Sequence, residues 1–235
     1  MNLFTENTPP ITLRPIPGTL WVGLENDANL TPTALREKTI LLETAIMELP
    51  EVLELKEGMV AVDCGCFLGD TPIILGHAGA CVFAWEPQID AFIAAAWNTL
   101  RYPHIHVFHG ALGNGETVAC NEDPINGNLG TRTTTQSDSG FKTFKLDDFP
   151  LEKWHFGKYD CEGHEYQALK GSVNMIHKFK PKLLIEVYRP MLALHGSSED
   201  DIYELLKQLG YEWKVVIGNF ADERFDILAT YKEKE

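Results

Sequence analysis

The apolar positions of the chain fall into short runs punctuated by Gly, Pro and acids, and the runs switch between two periods. Val60-Ala-Val-Asp63-Cys64 is a continuous run of strand length that ends near an acid and breaks at Gly65. Thr71 to His77 then reads as a short helix. Ala78-Gly79-Ala80 turns the chain into a second buried strand, Cys81-Val-Phe-Ala-Trp85, closed by Glu86. Ile89, Phe92, Ile93, Ala96, Trp97 and Leu100 follow the spacing of a helix lying on a sheet, with Phe92 and Trp97 expected in the core. Tyr102-Pro103 ends that helix, and His104 to His109 reads as a third strand. This alternation predicts a parallel sheet with right-handed crossovers.

The rhythm then breaks. Glu116 to Asn121 and Phe141 to Leu146 read as short strands, separated by a long polar, Gly-rich loop over 126–140. Parallel character resumes at Phe156 to Cys161, followed by a helix from about His164 with Tyr166, Leu169, Val173 and Ile176 on one face. Leu183 to Val187 is a further buried strand. Ser197-Ser198 with Glu199, Asp200 and Asp201 has the cap and first-turn acids of a helix start, and Gly210 stops that helix. Tyr211 to Ile217 and Phe225 to Tyr231, joined by a short turn, are expected as antiparallel neighbours.

Before the first core strand the signals are weaker. Residues 1–30 read as an irregular arm with room for one short strand around Thr19 to Val22, and Trp21 as a packing anchor. Thr31-Pro32 opens a helix that Pro50 ends or bends. The expected organisation is one globular domain, with an arm and helix over 1–57 packed on a core of 58–235.

Length and charge narrow the partners. A chain of 235 residues, 44% hydrophobic, can bury a sizeable core. Its formal net charge of −14 argues against nucleic acid or an anionic membrane as the main partner. Five cysteines at 64, 66, 81, 120 and 161 look like reduced, buried thiols, and Cys64-x-Cys66 lacks a second pair to close a zinc site. With no signal-peptide pattern and no window of about 18 apolar residues, a cytoplasmic location without a membrane span is expected.

Chemistry concentrates in three places. Asp63, Gly65 and Gly69 form a D-x-G-x-x-x-G turn rather than the G-x-G-x-x-G of a dinucleotide site, and an acid suits a cofactor with cationic sulfonium and ammonium groups. Glu86, ending the second strand 21 residues after Gly65, is placed to accept from two ribose hydroxyls. Asp160-Cys-Glu162-Gly163-His164-Glu165 brings carboxylates and an imidazole to a strand's carboxyl end, with Glu186 ending the next core strand beside it. His104, His106 and His109 alternate wrongly for a shared metal and read as strand-edge histidines.

Those residues carry a family resemblance. Val60-Ala-Val-Asp63-Cys-Gly65, Ala84-Trp-Glu86-Pro87, Asn98, Ala111-Leu112, Leu146-Asp147-Asp148-Phe149, Lys158 to Glu165 and the run Leu169 to Val187 are similar to FkbM-type S-adenosylmethionine-dependent methyltransferases, over about residues 55–215. The resemblance implies a Rossmann-like class I α/β fold: a seven-stranded, mostly parallel sheet with helices on both faces and the last two strands antiparallel. It also implies methyl transfer to a hydroxyl of a sugar, glycan or other small molecule. Cys66-Phe67 departs from the family, which usually has Ala-Asn there.

Under this reading Asp63, Gly65 and Gly69 cradle the methionine end of the cofactor and Glu86 holds the ribose. Gly110 and Ala111 flank the adenine. Asp160 or His164 is the general base, with Glu162 and Glu186 orienting the acceptor or holding a divalent ion. The 126–140 loop closes over the acceptor, and Arg132 meets an anionic group. A nicotinamide-dependent oxidoreductase and a non-catalytic cofactor-binding protein are the alternatives.

Overall fold

The computed structural model describes residues 13–15, 22–24, 44–121 and 123–233. Trp21 and the helix start at Thr31-Pro32 lie outside these residues. The N-terminal part contributes an antiparallel pair, β1 (Leu13–Pro15) and β2 (Val22–Leu24), and two one-turn helices, α1 (Thr44–Met47) and α2 (Pro50–Leu53), separated at Pro50 as expected.

The core then runs β3 (Val60–Cys64), α3 (Asp70–His77), β4 (Cys81–Glu86), α4 (Ile89–Thr99) and β5 (Ile105–His109). A small antiparallel sheet follows, with β6 (Thr117–Cys120) between β7 (Thr134–Gln136) and β8 (Phe141–Lys142). Next come β9 (Phe156–Tyr159), α5 (Glu165–Lys170), α6 (Val173–Phe179), β10 (Lys182–Tyr188), α7 (Arg189–Leu194), α8 (Glu199–Gln208), β11 (Tyr211–Ile217) and β12 (Arg224–Tyr231).

The main sheet has seven strands in the order β11-β12-β10-β9-β3-β4-β5. Strands β5, β4, β3, β9 and β10 are mutually parallel, and β12 is antiparallel to both of its neighbours. The expected closing pair is therefore present, although β12 alone runs against the rest.

Alternation along the strands divides the core. Val60, Val62, Cys64, Leu183, Ile185 and Val187 face α5, α6 and α8. Ala61, Val82, Phe156 and Leu184 face the opposite layer of α1, α2 and α3.

Three differences from the sequence pattern have physical causes. The apolar series on α4 is not its buried face: Trp97 is 58% exposed and Leu100 78% exposed, while Ala91, Ala94, Ala95, Asn98 and Thr99 are buried. Helix α4 lies too close to its neighbours for large side chains, and a Cβ on Gly69 would stand 3.3 Å from the Cα of Ala95. The helix expected from His164 is two helices, broken at Gly171, where a side chain would meet the carbonyl oxygen of Gly113. Strand β7 lies inside the segment that reads as loop.

Among the described residues, β2 packs Val22 and Leu24 on Leu68, Ala91 and Ala94 and is hydrogen-bonded to the core by Asn98. Asn98 donates its amide to the carbonyl oxygens of Val22 (3.0 Å) and Leu68 (2.9 Å) and accepts the Val22 N–H (2.9 Å). It is 1% exposed, so no water replaces these bonds if they are lost. Asn98→Ala is expected to destabilise the protein by about 2–3 kcal/mol, read from the midpoint of urea unfolding.

Candidate active site

Strand parity places the acids. Asp63, Glu86 and Glu186 stand at or within two residues of the carboxyl ends of β3, β4 and β10, on the face shared with Ala61, Ala84 and Leu184, and Asp160 follows β9 two residues after Lys158, which is in register with Asp63. Four carboxylates thus stand side by side at the carboxyl edge of the sheet, where open α/β sheets bind ligands.

The turn after β3 is built by close approach. Gly65 has φ 90°, and a Cβ on it would lie 1.9 Å from the carbonyl oxygen of Asp160, so only glycine fits between β3 and the Asp160 turn. The N–H groups of Gly65 and Cys66 both donate to the Trp85 carbonyl oxygen, at 3.0 and 3.1 Å. Phe67 has φ 43°, which is costly for a residue with a side chain. Its N–H donates to Glu86 Oε2 at 2.9 Å, and the Gln88 N–H donates to Glu86 Oε1 at 2.8 Å. The Cys66-Phe67 departure from the family therefore leaves a backbone link between this turn and the acid expected to hold the ribose. Glu86 is buried, and burial raises its carboxyl to about 7 against the pull of those two N–H groups.

The second group of acids is threaded with cations. Lys158 Nζ lies 2.7 Å from Asp160 Oδ2, and Arg224 from β12 lies 2.5 Å from Glu186 Oε1. Burial raises the Asp160 carboxyl, but the Lys158 ammonium outweighs it and holds the group below its ordinary value. Glu186 is pushed well up, by burial first and then by Asp160. Glu162 adopts φ 53° and is driven to about 8 by burial and by Asp160. Its Oε2, like Glu186 Oε2, is buried with no hydrogen-bond partner. Glu165 turns away from this work: its Oε1 accepts the N–H groups of Cys161 and Gly163, tying the turn that carries the others.

A single cavity joins the two groups. It runs from Gly65–Leu68 past Glu86 and Gln88 to Asp160, Glu162 and His164. Residues 128–134, part of the loop expected to cover the acceptor, form one wall. Arg132 is committed there and not free for an anion: its guanidinium makes two bonds to Asp90 at 2.8 and 3.0 Å, and its Nε donates to the Leu129 carbonyl oxygen.

The expected site residues divide by position. Gly65, Glu86, Ala111, Asp160, Glu162 and His164 line the cavity. Asp63 is wholly buried beneath the turn, Gly69 faces α4, and Gly110 sits under the ring of Phe144. His104 and His109 bond to backbone oxygens and His106 stacks on Phe83. Sequence reasoning missed Lys158 as part of the site, although it alternates with Asp160. It also missed Arg224 and Glu116, which arrive from distant segments without a local signal.

The three oxygens of Asp160, Glu162 and Glu186 come within 4.8 Å of one another, a spacing a cation can bridge. Two of the three carboxylates already carry a protein cation, so the group is a poor fit for a resident metal. The cavity suits S-adenosylmethionine better. Both oxygens of Glu86 are aimed by backbone donors with lone pairs to spare, and the Gly65 turn lets main chain approach a ligand closely.

Glu162 makes stability pH-dependent. Its folded value of about 8 lies above its unfolded value of 4.5, so its contribution is complete below 4.5 and is lost as pH rises through 8. Glu162→Gln, which cannot ionise, is expected to match the native protein in denaturant midpoint near pH 5. Above pH 8.5 it should exceed it by roughly 2–4 kcal/mol.

Comparison with known proteins bears on the family and the fold. Hexuronic acid methyltransferase AglP of Haloferax volcanii is 27% identical over 180 residues, covering 74% of this chain and 72% of that protein. Methyltransferase FkbM of Methylobacillus flagellatus superposes with a TM-score of 0.51 at 22% identity, over 74% of this chain but only 43% of that one. SMU.1697c of Streptococcus mutans, a structure in complex with SAH, superposes with a TM-score of 0.52 at 11% identity, over 80% of this chain and 94% of that one. These two likenesses show a shared fold. The methyltransferase FkbM domain matches residues 91–213, more than half of the chain, and the protein belongs to that family.

Proposed function

We propose that the protein is an S-adenosylmethionine-dependent O-methyltransferase acting on a hydroxyl of a sugar or glycan. The observation that carries this reading is the row of acids along one cavity. Glu86 is held by two backbone donors at one end, and Asp160 and the unpartnered oxygen of Glu162 stand at the other. A diol-binding carboxylate and a set of buried acceptors for hydroxyl protons are what a ribose-bearing donor and a polyhydroxylated acceptor require. The relative named for hexuronic acid supports a sugar acceptor.

Bound S-adenosylmethionine supplies a methyl group on a sulfonium, ready for in-line displacement. The rest falls to the chain. Glu86 accepts from the ribose hydroxyls, the Gly65 turn lies against the methionine end, and Ala111 flanks the adenine. Asp63 and Gly69 act from below by shaping the turn, and Gly110 does so beside Ala111. Glu162 takes a hydroxyl hydrogen bond from the acceptor and helps hold it against the methyl, which supplies much of the rate, while Glu186, which does not line the cavity, acts from behind by holding Arg224. Asp160 or His164 takes the proton of the reacting hydroxyl. Arg224 lines the same cavity with its side chain about half exposed, and it takes the place of Arg132 as the group that meets an acidic acceptor.

Calorimetric titration separates this reading from its rivals. S-adenosylhomocysteine is expected to bind and NAD is not; heat with NAD alone would overturn the proposal. A panel of hexoses, hexuronic acids and their glycosides incubated with labelled methyl donor is expected to yield product, and binding without any turnover would favour the non-catalytic alternative. Activity unchanged by chelation and by added Mg2+ is the outcome expected if Lys158 and Arg224 do the work of a metal. Glu86→Ala should weaken S-adenosylhomocysteine binding by about 1–3 kcal/mol, the cost of stranding buried hydrogen-bonding groups.

A further inference from the structure

His164 has one ring nitrogen committed and the other bare. Its Nε2 lies 2.6 Å from Oε1 of Glu116, a residue 48 positions earlier at the start of the small antiparallel sheet. The other oxygen of Glu116 accepts the Asn114 N–H at 2.7 Å, which fixes the carboxylate in place. Burial raises the Glu116 carboxyl, but its hydrogen bond to His164 outweighs this and holds it at about 2. A carboxylate in that state has no proton to give, so the hydrogen between the two residues sits on Nε2. In the neutral ring Nδ1 is then a bare acceptor.

That atom is buried, has no hydrogen-bond partner, and belongs to a residue that lines the cavity. Leaving an acceptor unpaired in the interior is costly, and a ligand hydroxyl would recover that cost. Among the described residues, no donor reaches Nδ1. His195 faces His164 edge-on, with ring centroids 5.4 Å apart, and its own Nε2 lies 2.9 Å from Thr133 Oγ. Burial above all holds His195 down to about 4, so it is neutral at ordinary pH. Glu162 and Glu165 flank His164 in the chain, and Glu165 is turned to the backbone of its own loop.

Resting on the methyl-transfer reading, we propose that His164 Nδ1 is the atom that accepts the proton of the reacting hydroxyl. Glu116 is the positioning residue that selects this tautomer and faces the imidazolium formed when the proton arrives. The balance is simple: the bond from the hydroxyl oxygen to the methyl carbon forms as the carbon–sulfur bond breaks, its electron pair staying on the sulfur of S-adenosylhomocysteine, while the hydroxyl proton passes to Nδ1 and the ring returns it to solvent when product leaves. Asp160 is the weaker candidate because Lys158 holds it ionised and reluctant to take a proton.

Imidazole nitrogen NMR tests this without an acceptor. In the native protein at alkaline pH, Nε2 is expected to resonate as a protonated nitrogen and Nδ1 as an unprotonated one. Glu116→Gln, whose amide can donate to Nε2, should redistribute the tautomers, and Glu116→Asp should preserve the native pattern. A native Nδ1–H tautomer, or tautomers indifferent to Glu116→Gln in a folded protein, would overturn the proposal. With an acceptor that turns over in the panel above, Glu116→Gln should lower kcat tenfold or more while KM and S-adenosylhomocysteine affinity stay within about twofold. Loss of kcat and KM together would mean a merely structural pair. Failure to bind S-adenosylhomocysteine in the native protein would instead count against the methyl-transfer reading.

Discussion

Lys158 is 2% exposed, its ammonium lies 2.7 Å from Asp160, and its neighbour in register on β3 is Asp63. One buried cation thus stands among buried acids at the centre of the sheet. Carboxylates cannot be gathered in a poorly solvated place unless something answers their charge, and removing one partner of such a pair typically costs about 3–5 kcal/mol. Lys158 answers it from the middle and Arg224 from the β12 side. Where the cations do not offset burial and the neighbouring acids, the carboxyl holds a proton instead: Glu162 rises to about 8, and Glu186 is pushed well up despite Arg224. The chemistry of the cavity depends on this division between ionised and protonated acids.

Backbone strain is gathered at the same edge. Among the described residues, four other than glycine have positive φ, and two of them, Phe67 and Glu162, line the cavity. Each is held by something specific. Phe67 is tied to Glu86, and the turn bearing Glu162 is tied to Glu165 through the N–H groups of Cys161 and Gly163. Such conformations persist only where the surroundings over-determine them. Here they aim one N–H at an acid and one acid into the cavity.

The small antiparallel sheet is more than a cover. It delivers Glu116 to His164 and carries Thr133, which bonds to both His195 and the carbonyl oxygen of Glu162. Arg132 pins the same segment to α4 through Asp90. The segment that breaks the parallel rhythm therefore completes the proton-handling end of the cavity.

Much of this was legible in the chain itself. Strand periodicity and terminal acids at Asp63, Glu86, Asp160 and Glu186 determined the parallel order and the edge at which the acids gather, because a strand's side chains alternate and its end is marked by the turn that follows. The paired closing strands were equally plain. What only the tertiary structure decided is which faces and which partners are used. Helix α4 buries its alanines rather than its aromatic stripe, because the turn at Gly69 leaves room only for small side chains. Arg132 is consumed by Asp90, while Arg224 and Glu116 arrive from elements 38 and 48 residues away from their partners. Ion pairing acts through space and periodicity acts along the chain, so the second can be read from a sequence and the first waits for the fold.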